Sequence, residues 1–92
     1  MKPIIEYVYF IQVVENGPIK IGKTRNIASR LISLQSGNHE KIVLLYSLHN
    51  TKPKIRLIER SLHDRFKRHK IRGEWFRANP EILDHIEQLR KL

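Results

Sequence analysis

Apolar residues along this chain fall into two kinds of run, one continuous or alternating and one recurring every three to four positions. Each kind predicts a different element. Residues 5–14, IEYVYFIQVV, are β-branched and aromatic and apolar on both alternating faces, which predicts a buried central strand. Asn16-Gly17 followed by Pro18 is a turn signal, and Ile19–Gly22 predicts a short second strand, so the first two strands form a hairpin. A third strand is predicted at Lys41–His49, KIVLLYSLH. Between them, Ile27, Leu31 and Leu34 recur at i, i+4, i+7 in a helix capped by Thr24 or Asn26 and closed by Gly37-Asn38. Pro53 opens a second helix, with Ile55, Ile58, Leu62 and Phe66 on one stripe. Asn79 caps a third, carrying Ile82, Leu83, Ile86 and Leu89.

The predicted order is ββαβαα. The fold class is α/β in the α+β sense: a small three-stranded antiparallel sheet flanked by helices. Gly73-Glu74-Trp75-Phe76 is expected to be an ordered connection that docks Trp75 or Phe76 over the core. No repeat, low-complexity stretch or linker interrupts the chain, so residues 1–92 read as one domain.

Composition narrows the function. The 92 residues are 40% hydrophobic and 29% charged, a globular balance. Eighteen Lys and Arg stand against nine Asp and Glu, a formal charge of +9 that calls for a polyanionic partner. The excess is clustered. Lys52–Arg77 holds ten basic residues and three acids, and Lys20, Lys23, Arg25 and Arg30 lie in a stretch with no acid. Neither segment pairs its charges with an exposed aromatic face, which argues against a membrane surface. The N-terminal apolar run is broken by Glu6 and Gln12 and too short to span a bilayer. Without cysteine there is no disulfide, zinc–thiolate site or cysteine nucleophile. A soluble, intracellular, cytoplasmic nucleic-acid-binding protein is the expectation.

Four features exceed what a core and a solvated surface need. Tyr7 and Tyr9 share one face of the first strand, although strand tyrosines commonly serve packing. Gly22-Lys23-Thr24 ends a strand just before a helix, where backbone N–H groups and a lysine can approach a phosphate; in isolation it reads as a turn. Arg30 borders the apolar stripe of its helix, where snorkelling would also explain it. Glu59 sits at the edge of the buried stripe of the second helix, and a carboxylate there is costly unless it meets a cation or a metal. His63, one turn on, can serve as a second ligand or a proton shuttle; a salt bridge from Glu59 to Arg30 or another nearby base is the structural alternative.

Taken in order, these residues resemble the GIY-YIG nuclease superfamily. Tyr7-Val8-Tyr9 stands for the first motif, with Tyr9 as its tyrosine, and Lys20-Ile21-Gly22 for the second. Arg30 follows Gly22 at the spacing of the family's helix arginine, and Glu59 falls where the family keeps its metal-binding glutamate. Glu59, Leu62-His63, Phe66 and Gly73-Glu74-Trp75-Phe76 resemble a small viral and bacterial branch of the superfamily. The chain departs from the pattern in having Tyr7 for the first glycine and Lys20 for the second tyrosine.

The resemblance implies a GIY-YIG-like fold and a metal-dependent endonuclease using one Mg²⁺ (or Mn²⁺) ion held by Glu59. Tyr9 would be the general base, Arg30 would bind the scissile phosphate, and Lys20, Lys23 and His63 would complete the catalytic set. Lys20 beside Tyr9 is expected to lower the phenol pKa. Lys20, Lys23, Arg25, Arg30, Arg60, Lys67, Arg68 and Lys70 would grip nucleic acid, expected to be DNA, through its backbone. No stretch reads as an added DNA-reading domain, so target choice is expected to come from a protein partner, from nucleic-acid structure, or to be lax. Two rival readings are a catalytically inactive module binding nucleic acid or protein on the same scaffold, and a structural RNA binder. The last accounts for the charge but not for Glu59.

Overall fold

The computed structural model describes residues 1–92. Strand β1 (Ile5–Val13) runs antiparallel to both β2 (Ile19–Thr24) and β3 (Ile42–Thr51), pairing Tyr9 with Gly22 on one side and with Ser47 on the other. As its apolar run predicts, β1 is interior to the sheet, and its two faces feed two clusters. Val8 and Phe10 join a core of ten buried residues with Ile19, Ile21, Ile55, Phe66 and Phe76; Tyr9 and Ile11 join Ile42 in a smaller cluster. Asn16 turns the first hairpin at φ 59°, in the left-handed region that asparagine tolerates.

Helix α1 (Ile27–Ser36) is capped by Asn26, whose side chain accepts the Ser29 N–H at 2.9 Å, and Ile27, Leu31 and Leu34 rest on the smaller cluster. Helix α2 (Lys52–Arg65) begins with Pro53 in its first turn and buries Ile55 and Leu62, with Ile58 half-buried beside them. A 3-10 turn at Lys67–His69 follows. Helix α3 (Pro80–Arg90) is capped by Asn79 and buries Ile82 and Ile86. Leu83 is exposed, at the margin of the stripe rather than in it.

The sheet has five strands, not three. Beyond β2 lie β5 (Trp75–Phe76) and β4 (Lys70–Arg72), giving the order β3-β1-β2-β5-β4. These two strands are too short for an alternating pattern to register, and every residue of β4 is exposed. Their turn is set by Gly73 at φ 57°, a conformation that most side chains resist. The Gly73–Phe76 segment is thus a turn and a strand of the sheet as well as the docking connection expected of it, with Phe76 fully buried.

At the opposite edge, β3 carries a bulge. Leu44 pairs with Ile11 and Tyr46 with Phe10, so Leu45 has no partner on β1. Arg90 at the end of α3 donates two hydrogen bonds to the Leu45 carbonyl, at 2.6 and 3.1 Å.

Candidate active site

Strand β5 pairs with β2 only at Ile19 and Lys20, and the Ile21 N–H reaches the Glu74 carbonyl at 3.0 Å. Further along β2, at Gly22, side chains from β1, α2 and the β4–β5 turn converge. Gly22 has no room for a side chain: a Cβ there would collide with the Tyr9 hydroxyl and come within 3.1 Å of Glu74 Oε1. The glycine of the predicted turn is therefore a floor that lets Tyr9 and Glu74 close over the strand.

Tyr9 is fully buried, and its hydroxyl forms no well-aligned hydrogen bond although the Arg30 guanidinium stands near it. Burial pushes its pKa up to about 12; Arg30 works in the opposite direction, while the Glu74 and Glu59 carboxylates reinforce the rise. The lowering expected from nearby cations is outweighed. Desolvation of the phenolate is the larger effect, and Lys20 spends its charge on Glu74.

Glu59 is half-buried on α2, with Oε2 enclosed and unpartnered. Burial, reinforced by Glu74, raises its pKa, and His63, Lys23 and Lys20 only partly offset this. The alternative salt bridge to Arg30 does not form; neither residue takes part in any ion pair. Within this group the one ion pair is Lys20–Glu74, at 2.9 Å. Lys20 Nζ also lies 5.6 Å from the centre of the Trp75 ring. His63 is fixed twice, by Nε2 at 2.7 Å from the Ile21 carbonyl and by its ring meeting Phe76 edge-on at 5.1 Å. One ligand atom each from Glu59, His63 and Glu74 lie within 4.8 Å of one another.

The candidate residues divide accordingly. Tyr9, Lys20, Lys23, Arg30, Glu59 and His63, drawn from four elements, gather about Glu74 at one notch: Arg30 and Glu59 both act on the Tyr9 hydroxyl, and His63, Lys23 and Lys20 act on Glu59. Lys23, Arg25 and Arg30 line an open polar cleft of about 730 Å³ that contains no hydrophobic residue, where Arg25 approaches the buried Glu6 at 3.6 Å. Arg60 and Lys67 border a second open cleft of about 720 Å³ that reaches His63. Arg68 is committed to Glu81 at 2.9 Å, alongside His69 at 3.0 Å, and Lys70 lies exposed on β4 at the far edge of the sheet.

A family model, the T5orf172 domain, matches residues 6–90. The chain belongs to the T5orf172 domain family. The match runs from β1 to the end of α3, so the notch and every element that builds it lie within the T5orf172 domain. Comparisons with curated proteins and with solved structures give no match.

Sequence reasoning missed Glu74 as a member of the site. It stands 54 positions from its partner Lys20, and only a hairpin of two very short strands brings it back. The one available signal was Lys20 itself, a cation in a largely buried strand with no acid nearby in sequence. Glu6, buried beneath Arg25, was also unremarked as a site residue.

Proposed function

We propose that this T5orf172 domain is a metal-dependent endonuclease of the GIY-YIG type that hydrolyses phosphodiester bonds in nucleic acid, DNA being the expected substrate. The observation that carries the reading is the meeting of Tyr9, Arg30 and Glu59 at one notch. They come from a strand and two helices far apart in sequence. A half-buried carboxylate with an enclosed, unpartnered oxygen fits a divalent cation, because packing alone leaves that atom unsatisfied.

Glu59 would hold the ion, which when bound supplies positive charge against a phosphoryl oxygen and the leaving 3′-oxygen. Arg30 binds the scissile phosphate and keeps it against Tyr9. Tyr9 accepts a proton from the attacking water, and since burial keeps the phenol protonated at neutral pH, this role needs Arg30 and further positive charge to offset desolvation. Lys20 holds Glu74 beside the notch, and Lys23 limits the repulsion between the two carboxylates. Arg25, Arg60 and Lys67, in the flanking clefts, grip the backbone without reading bases.

The high pKa of Tyr9 also favours a second reading, an inactive module that uses the same cations to bind nucleic acid. Incubation of plasmid DNA with Mg²⁺ and with EDTA separates the two. Nicking in Mg²⁺ that EDTA abolishes, and that Glu59→Gln reduces by orders of magnitude while DNA binding persists, is the expected outcome. Binding should weaken with salt at a log–log slope of roughly −4 to −5 if about four to six cations engage phosphates. Salt-dependent binding with no cleavage in any divalent ion would leave the module. A flat salt response would remove nucleic acid from both readings.

A further inference from the structure

We propose that Glu59, His63 and Glu74 together hold one divalent cation, and that this site takes Mn²⁺ more tightly than Mg²⁺. The proposal rests on the nuclease reading for its ion at Glu59, and adds two ligands and a metal preference to it.

Nitrogen and oxygen donors around one such ion lie about 2.0–2.2 Å from it, hence no more than about 4.4 Å apart. The three side chains, with ligand atoms already within 4.8 Å, need only a small adjustment to close on a shared centre. His63 is prepared for this role. A carbonyl only accepts, so the contact with Ile21 places the proton on Nε2 and leaves the Nδ1 lone pair for an ion, the outer hydrogen bond that metal-binding histidines use. Glu74 is held next to Glu59 by Lys20, although two neighbouring carboxylates repel when no cation lies between them.

Two unpartnered atoms point the same way. Glu59 Oε2, within the trio, and the hydroxyl of the fully buried Tyr9, which meets Glu74 over Gly22, are both enclosed and without well-formed hydrogen bonds. Enclosed polar atoms are rarely left unsatisfied by folding alone. The donor set selects the metal. Mg²⁺ demands oxygen ligands and retains most of its water, whereas Mn²⁺, at the weak end of the first-row series, shares the taste for carboxylates but gives up its water more readily and accepts an imidazole nitrogen beside them. A site built on Glu59 alone would carry no such preference.

Titration of MnCl₂ into the full chain without nucleic acid, following free Mn²⁺ by electron paramagnetic resonance, tests this directly. One ion per chain should bind. Glu74→Gln and His63→Asn should each weaken it by about tenfold or more, since even outer partners of metal ligands are worth that much. MgCl₂ should displace Mn²⁺ only when in clear excess over it. Bound Mn²⁺ should also broaden the His63 ring protons and quench Trp75, the only tryptophan; these wild-type readouts decide the matter if a variant does not fold. Wild-type affinity in a folded Glu74→Gln, equal affinity for Mg²⁺, or unbroadened His63 protons would overturn the proposal. Mn²⁺ binding as described without cleavage would sink the nuclease reading and leave this site standing. Cleavage in Mg²⁺ with Mn²⁺ affinity untouched by Glu74→Gln would do the reverse.

Discussion

Helix α2 buries Ile55 and Leu62 in the ten-residue core, while α1 buries no residue and leans on Tyr9, Ile11 and Ile42 through half-buried side chains. The two helices flank the same notch with opposite chemistry. α2 supplies Glu59 and His63, which demand fixed geometry if they share an ion. α1 supplies Arg30, a long cation beside an open polar cleft, which can follow a phosphate as it arrives. The difference is one of anchorage: Glu59 and His63 ride on a helix fixed in the main core, and Arg30 on one that is not. The main core lies under only one of the two helices.

Packing gives the sharpest way to break that contrast. Ile55→Ala should cost about 2–5 kcal/mol of unfolding free energy, whereas Leu31→Ala on the half-buried stripe of α1 should cost only about 1 kcal/mol. Urea denaturation of both variants reads the difference, and equal costs would end the distinction. Native-state hydrogen exchange should likewise find the α1 amides opening more readily than those of α2.

Proton chemistry comes next, through Tyr9 on the α1 side. A base that is protonated at neutral pH makes the rate climb with pH, by up to about tenfold per unit, so cleavage should rise from pH 7 to pH 9. A plateau below pH 8 would take the proton-accepting role away from Tyr9. Stability should respond with the opposite sign. Because folding raises the tyrosine pKa from 10.0 to about 12, its contribution is complete below pH 10 and is lost as pH rises through that interval. Tyr9→Phe should flatten this part of the unfolding profile.

The smallest effect belongs to the α2 side. Glu59 has its pKa raised, so folding disfavours its charged form, and stability falls as pH rises through the carboxylate range. Glu59→Gln should therefore raise the melting temperature of the metal-free protein at pH 7. A lower melting temperature would instead make Glu59 a structural partner and remove the reason to place an ion beside it. A residue that costs stability yet holds its place is characteristic of function.

The elements with strong periodicity were legible in the sequence. The β1–β2 hairpin, the stripes of α2 and α3, and the caps at Asn26 and Asn79 follow from local rules that tertiary packing reinforces. Strands β4 and β5 were not, because three exposed residues and two more give no pattern and acquire their identity only by pairing with β2. The same hairpin hid Glu74. Arg30 and Glu59 stood out as charges bordering the apolar stripes of their helices, whereas Tyr9, an ordinary strand residue, stood out only through the motif that it shares with the superfamily. The sign of the Tyr9 shift was misjudged for a different reason: counting neighbouring cations ignores both the depth of the hydroxyl and the acids that neutralise those cations. Spacing indicates which residues meet, but not how much water they lose on meeting.

The guanidinium of Arg90 at the bulge of β3 has a consequence for solubility. A ten-residue strand at the end of a sheet is a template on which another chain can extend the ladder, and natural proteins interrupt such templates with bulges and cations. Leu45 breaks the regular spacing, and Arg90 occupies the carbonyl that the break releases. The end of α3 thereby acts as a guard against self-association. A substitution at Arg90 would threaten the solubility of concentrated protein before it threatened anything at the notch.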